Sequence, residues 1–468
     1  MSQTLLPKAN ALTANPGESL NIGFVHLGCP KNLVDTETML GHLERDGHTI
    51  VASEAEADVV LVNTCAFIEA AQQESVQTLV GLAEQGKRLL ISGCLAQKFQ
   101  GELLDLFPEA DAVVGTHQVA DVASVVRRVQ QGERVLAVQQ DPTYLLQEDT
   151  ERKHVTMGAS VYVKVSEGCD YRCKFCIIPS MRGNLRSRTV ASIADSVKAL
   201  VDKGVTEVVL IGQDNTSYGR DIDTDLPTLL ETLNEINGLQ WLRFMYAYPN
   251  NRLNDRLLHT IRDCDKVVKY LDCPLQHTHP DILKRMSRPV HDVLEFTDWV
   301  RSTVPNIKLR TTFITGFPGE TEAHYQHMLE TIQHAKFDRL GVFEYSDVEG
   351  AAANELDGKV AKGVIHQRRK SLMAAQQEIA YANNKALMGK TIPVVIDEIR
   401  TSGLLVGRSQ WDAPEVDNQV LISPQACQAS VVPGDLVAVT VAQVTPYDLK
   451  GTLTQHWPTD MAPTQAFL

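Results

Sequence analysis

No run of eighteen apolar residues occurs anywhere in the 468-residue chain, so no membrane-spanning helix is expected. The opening stretch, MSQTLLPKANALTANPGESL, has no basic region followed by an apolar one, which speaks against a secretory signal. Repeats of solenoid length and low-complexity tracts are also missing. Basic charge is scarce: 44 Lys and Arg face 58 Asp and Glu, for a formal charge of −14. That balance disfavours a nucleic-acid binder built on a broad basic surface and suits a cationic partner. Cysteine is scarce as well. Nine cysteines, an odd number in a long chain without a signal, point away from a disulfide framework and towards metal or catalysis. The expectation is an enzyme of a reducing, cytoplasmic compartment.

What the chain does have is apolar residues, at 43%, and length enough for about two to four domains. The expected fold class is α/β, in three regions. In residues 20–135, short apolar runs (22–27, 58–63, 88–92 and 112–115) alternate with helical patterns, which predicts a parallel sheet buried on both faces. The polar stretch 139–155 reads as a linker. In residues 155–388 six more strand–helix repeats predict a partial or complete (β/α) barrel of the TIM type. In residues 389–460 alternating β-branched runs broken by Gly and Pro predict a small antiparallel β-barrel.

Three cysteines, Cys169, Cys173 and Cys176, crowd into SEGCDYRCKFCIIPSMRG just after the first barrel strand. A cuboidal iron–sulfur cluster offers four irons to ligands, so three thiolates leave one iron open to chelate a small molecule. Phe175, beside the last of them, is placed to shield such a cluster from water. A zinc knuckle with a distant fourth ligand is the alternative, although closed zinc sites usually pair their cysteines two by two. Cys29, Cys65 and Cys94 each follow an apolar run, at separations of 36 and 29 residues, close to one strand–helix–strand repeat. Singly, each is a candidate buried hydrophobe. Together they occupy the same strand-end position three times, at the edge where open α/β sheets bind ligands, and suggest a second cluster.

The C-x3-C-x2-C spacing with an aromatic before the last cysteine resembles the radical S-adenosylmethionine superfamily. The pair of three-cysteine sites resembles its methylthiotransferase family over nearly the whole chain. That resemblance implies an N-terminal methylthiotransferase domain, a radical barrel and a C-terminal TRAM domain. It implies two [4Fe–4S] clusters, ligated by Cys29, Cys65 and Cys94 and by Cys169, Cys173 and Cys176. Two molecules of S-adenosylmethionine are consumed, one as methyl donor and one as source of the 5′-deoxyadenosyl radical. An electron donor and a sulfur donor are implied partners. Substrates in the family are an isopentenylated adenosine of transfer RNA or the β-carbon of an aspartate in small-subunit ribosomal protein S-twelve. GCPKNLVDTE, QDNTSYG, YLDCPLQH, RTTFITGFPGET and GRSQWDAPEVDNQV resemble the second group. Thr36 and Cys273 stand where that group commonly has Ser and Ile. Asn418 stands where it has Gly, a change that a left-handed turn tolerates.

Charge supplies a separate argument. Residues 391–468 hold eight acids (Asp397, Glu398, Asp412, Glu415, Asp417, Asp435, Asp448, Asp460) and three bases (Arg400, Arg408, Lys450). A barrel gripping RNA would carry a basic groove, whereas an acidic one fits a basic ribosomal protein. Asp412, Glu415 and Asp417 are therefore expected to help bind it, unless these charges serve solubility alone. For S-adenosylmethionine the candidate contacts are Gly316 and Gly319 in TGFPGE, with Gln213 and Asp214 at another strand end. The glycines could equally form a tight turn. Gln276, His277 and Arg310 have similar positions, or are satisfied core polar groups. Cys264, Cys273 and Cys427 read as incidental thiols.

Overall fold

A computed structural model describes residues 18–142, 144–146, 152–155, 158, 160–423, 431–458, 461–462 and 464. Cys427 and Asp460 lie outside these residues. The chain packs into two compact units, residues 1–155 with 167–186 and 346–351, and residues 156–166 with 187–345 and 352–468.

The first unit is a six-stranded parallel sheet of β1 (Asn21–His26), β2 (Thr49–Ile50), β3 (Val59–Thr64), β4 (Leu89–Gly93), β5 (Ala110–Val114) and β6 (Val135–Ala137). Their order is β2-β1-β3-β4-β5-β6. The four apolar runs all form strands. The short edge strands β2 and β6 carry too few apolar residues to show in the sequence. Alternate residues feed opposite faces. Val60, Val62, Leu89, Ile91 and Val113 join one core. Ile22, Val59, Leu61, Leu90, Ala112 and Val114 join the other, with Met39, Leu40, Val125 and Val129 from the covering helices. The chain order reverses between β1 and β3, the crevice where doubly wound sheets bind ligands.

Residues 139–155 are no free linker where they are described. Glu37, 1% exposed, accepts from Arg152 Nε at 2.7 Å and from the Val155 N–H at 3.0 Å. A buried carboxylate demands such partners, and the segment past residue 151 supplies them.

In the second unit six parallel strands form an open (β/α) barrel. One sheet runs Trp241–Phe244, Glu207–Ile211, Ser160–Lys164; the other runs Tyr270–Asp272, Lys308–Thr315, Arg339–Glu344. A single parallel bridge, Leu242 to Val267, joins them. The last region closes as a five-stranded barrel of Thr391–Ile399, Leu405–Ser409, Val420–Ile422, Leu449–His456 and Leu436–Val444. It is not wholly antiparallel: Val420–Ile422 and Leu449–His456 pair in parallel. Among the described residues no helix is long and apolar enough to cross a membrane.

The strand Leu405–Ser409 and the loop after it pack on the starts of the large-barrel strands. Arg408 donates to Glu207 at 2.8 Å and to Asp397 at 2.8 Å. Arg243 donates to Glu207 at 2.9 Å and to the Gln410 carbonyl at 3.0 Å. Arg339 donates to Asp412 at 2.7 Å, and Arg310 to Asp272 at 2.8 Å and Asp417 at 3.3 Å. Tyr270 Oη donates to Asp417 at 2.6 Å. This corrects the surface-charge expectation. Asp412 and Asp417, with side chains 2% and 3% exposed, neutralise arginines inside the unit and do not face a partner. Only Glu415 of the three is exposed. With Asp397 paired to Arg408 as well, the described tail offers Glu398, Glu415, Asp435 and Asp448 against Arg400 and Lys450. That difference is too small to argue a basic partner. The left-handed residue of the loop is Glu415, at φ 61°, and not Asn418.

Burial alone would raise the Glu207 carboxyl, but Arg408 and Arg243 outweigh it and hold the group at about 2, against an ordinary 4.5. A depressed carboxyl contributes stability in full above its unfolded value and loses it as pH falls towards the folded one. Glu207→Gln is therefore expected to cost about 3–5 kcal/mol at pH 7, because buried Arg243 loses its carboxylate and Arg408 keeps only Asp397. In denaturant titrations the gap from the parent chain should narrow as pH falls from about 4.5 towards 2. Asp412→Asn and Asp417→Asn should likewise lower the denaturation midpoint. Unchanged midpoints in all three variants would contradict the buried-pair account.

Candidate functional site

Two sets of three cysteines lie in the first unit. In the sheet, His26 pairs with Asn63 and Asn63 with Ser92, so β1, β3 and β4 end level. Cys29, Cys65 and Cys94 follow these ends within three residues. Cys29 caps the helix Pro30–Arg45, and Cys94 begins the helix Cys94–Phe99. Gly28 brings the first two together. At φ +98°, a Cβ there would lie 2.8 Å from Cys65 Cβ and 3.1 Å from its sulfur. Only glycine lets the β1 loop cross so close to the thiol.

Asn32 ties the strand ends together. Its Nδ2 donates to the carbonyls of Leu27, at 3.3 Å, and Thr64, at 3.0 Å. Its Oδ1 faces the Cys94 thiol at 3.7 Å. Ser75 Oγ accepts from the Cys65 N–H at 3.0 Å and donates to the Cys65 carbonyl at 3.1 Å. Burial pushes the Cys65 thiol up to about 11. Burial raises Cys94 too, while Arg182 pulls it back. Thiols brought to neighbouring strand ends, two of them buried, are of the kind that soft metals take as ligands once the protons are given up.

The second set sits on the loop 167–186. Cys173 is buried, and Cys169 and Cys176 are half-buried, as is Phe175. The Cys169 N–H donates to the Gly183 carbonyl at 3.0 Å, and the Cys176 N–H to the Cys173 carbonyl at 2.9 Å. The Ile178 N–H points at the Cys176 sulfur from 3.4 Å. A backbone N–H aimed at sulfur suits a thiolate ligand, whose charge it stabilises. The loop closes on Arg182, which sequence reasoning passed over. Its Nη2 lies 3.7 Å from the Cys94 sulfur, so the residue that ends the second loop touches the first set.

The remaining candidates belong to the second unit. Asp214, 2% exposed, accepts from the Thr216 N–H at 2.9 Å, Thr216 Oγ1 at 2.5 Å, Ser217 Oγ and the Tyr248 N–H at 3.3 Å. Its carboxylate is spent on shaping the loop; Gln213 beside it is half-buried. A Cβ on Gly316 would meet Ile365 at 2.4 Å, and one on Gly319 would meet Arg285 at 2.6 Å. Protein thus fills the side-chain space of both. Glu320 braces their turn: it accepts from the Gly316 N–H at 2.9 Å and Arg368 at 2.7 Å, and His277 Nε2 lies 3.4 Å away. Burial would raise the Glu320 carboxyl, yet His277, the Gly316 N–H and Arg368 hold it below its ordinary range. His277 is a buried bracing group, and Arg310 belongs to the opposite end of the barrel, against Asp417. Gln276 sits at φ 73° beside Phe313. Cys273 is fully buried, in keeping with an incidental thiol.

Three family models match successive parts of the chain. Residues 21–115 match the family model described as uncharacterized protein family UPF0004. Residues 163–332 match the Radical SAM superfamily, and 388–454 match the TRAM domain. The chain is 45% identical to the ribosomal protein uS12 methylthiotransferase RimO of Synechococcus sp. (strain CC9311), over 95% of this chain and 96% of that one. The RimO protein of Nostoc sp. (strain PCC 7120 / SAG 25.82 / UTEX 2576) is also 45% identical, over 94% of this chain and 100% of its own. Among solved structures, the radical S-adenosylmethionine methyltransferase TsrM from Kitasatospora setae superposes with a TM-score of 0.52. It is 14% identical and covers 70% of this chain and 75% of its own, a likeness of fold. On the strength of the full-length relatives, the chain belongs to the RimO family of radical S-adenosylmethionine methylthiotransferases.

Proposed function

We propose that this chain methylthiolates the β-carbon of an aspartate in ribosomal protein uS12, with two S-adenosylmethionine consumed per turnover. Cys169, Cys173 and Cys176 are the ligands of the radical-generating [4Fe–4S] cluster, and Cys29, Cys65 and Cys94 those of the auxiliary one. The observation that carries this reading is the convergence of Cys29, Cys65 and Cys94 from three strand ends about Gly28 and Asn32. A chain that only generated radicals would need the loop cysteines alone. When bound, the clusters and S-adenosylmethionine would supply a 5′-deoxyadenosyl radical and a methyl group, with the transferred sulfur held at the auxiliary cluster.

The protein's own residues orient and shield. Asn32 and Ser75 fix the strand ends, and burial of Cys65 and Cys94 keeps water from the sulfurs. Gln213, Gly316 and Gly319 follow the C-terminal ends of their barrel strands, the end where barrel enzymes hold substrates. We assign S-adenosylmethionine to that end, with Asp214 and Glu320 positioning the loops that receive it. Residues 20–135, 155–388 and 389–460 act as methylthiotransferase, radical and TRAM domains. An external electron donor and a sulfur donor complete the cycle, and uS12 places the reaction in the cytoplasm.

Mass spectrometry of purified uS12, after anaerobic incubation with reconstituted protein, S-adenosylmethionine and a reductant, should show the methylthio increment on one aspartate. Modification of transfer RNA in place of uS12 would contradict the substrate assignment. Cys29→Ala, Cys65→Ala and Cys94→Ala together should abolish the product while reductive cleavage of S-adenosylmethionine to 5′-deoxyadenosine continues. Product formation without those three thiols would sink the auxiliary role.

A further inference from the structure

Arg182 is an expensive residue to bury, at 2% exposure, and its guanidinium meets Asn32, Asp35 and Cys94 of the N-terminal sheet region together with Glu167 of its own loop. Nη1 donates to Asp35 Oδ2 at 2.8 Å and lies 3.1 Å from both oxygens of Glu167. Nη2 donates to Asn32 Oδ1 at 2.6 Å and to the Cys94 sulfur at 3.7 Å. The fork thus clamps two carboxylates on one side and presents a cationic N–H to a sulfur on the other. Asn32, the residue that ties the β1 and β3 ends, is held by the same nitrogen. For structure alone, the whole buried group of Arg182, Asp35 and Glu167 could be replaced by apolar side chains at little cost. What that replacement could not supply is a charged donor at the sulfur.

We infer that Arg182 is a positioning residue for the Cys29, Cys65 and Cys94 site, holding Cys94 and raising the reduction potential of the cluster bound there. The inference rests on the ligand assignment made above. Hydrogen bonds and positive charge at a ligating sulfur stabilise the reduced, more negative cluster more than the oxidised one. One electron enters the cluster on reduction, and the guanidinium keeps its protons throughout.

The test uses full-length protein with Cys169, Cys173 and Cys176 replaced by Ala, so that only the auxiliary cluster is reconstituted. A dithionite titration followed by electron paramagnetic resonance gives its midpoint potential. Arg182→Gln in that background should lower the equilibrium constant for one-electron reduction about tenfold, a shift of about 59 mV to more negative potential. Arg182→Lys keeps the charge that balances Asp35 and Glu167, and should restore part of the shift. Where the Gln variant does not fold, the Lys variant decides through the reduced cluster's spectrum. Proton double resonance in H2O against D2O should show an exchangeable proton coupled to the parent cluster and altered in Arg182→Lys. A potential and proton coupling indifferent to Arg182 would overturn this role alone. Failure of the parent background to bind any cluster would overturn the ligand assignment and this role with it.

Discussion

One register decides where the N-terminal chemistry sits. β1, β3 and β4 pair so that His26, Asn63 and Ser92 stand in one row across the sheet. Because the rows are level, the residues just past the strands arrive together. A slip of one residue in any strand would exchange its side chains between the two cores and withdraw its cysteine from the set. The apolar alternation on both sheet faces enforces that register, since each strand must satisfy two cores at once. Core packing thereby fixes the position of the sulfurs, and Gly28 and Asn32 make the final adjustment.

Buried arginine is the second recurring device. In the barrel unit Arg243, Arg310, Arg339 and Arg408 meet Glu207, Asp272, Asp412 and Asp417 where the small barrel packs on the strand starts. Their forks demand carboxylates in fixed directions, so they specify how the C-terminal barrel docks more than they add net stability. The opposite ends of the strands are left free of these pairs, and the proposed S-adenosylmethionine site lies there. In the first unit Arg182 applies the same device beside the Cys94 sulfur, and it belongs to the loop that carries the second cysteine set.

The large elements were legible in sequence because each carried a local signal. Apolar runs of strand length gave the parallel strands, and Gly- and Pro-broken alternation gave the small barrel. The cysteine sets were legible because their spacing repeats a local event. What escaped depended on long-range partners. Arg182 lies 88 residues from Cys94 and 147 from Asp35, and nothing in PSMRG announces either. Asp412 and Asp417 look like surface acids until Arg339 and Arg310 appear beside them, so a charge count misread them. Asp214 and the glycines of TGFPGE were placed at the proper strand ends. Their immediate partners, however, are the protein's own Thr216, Ile365 and Arg285. Residues 139–155 looked like a linker because polar composition says nothing about the buried Glu37 that fastens their end.

The six cysteines at two sites are assigned to two separate clusters. Iron and sulfide analysis with Mössbauer spectroscopy on anaerobically reconstituted protein tests this assignment directly. About eight irons per chain are expected, falling to about four when Cys29, Cys65 and Cys94 are replaced, and likewise about four when Cys169, Cys173 and Cys176 are replaced. A parent chain with only about four irons, or a loss of all iron on removing either set, would contradict it.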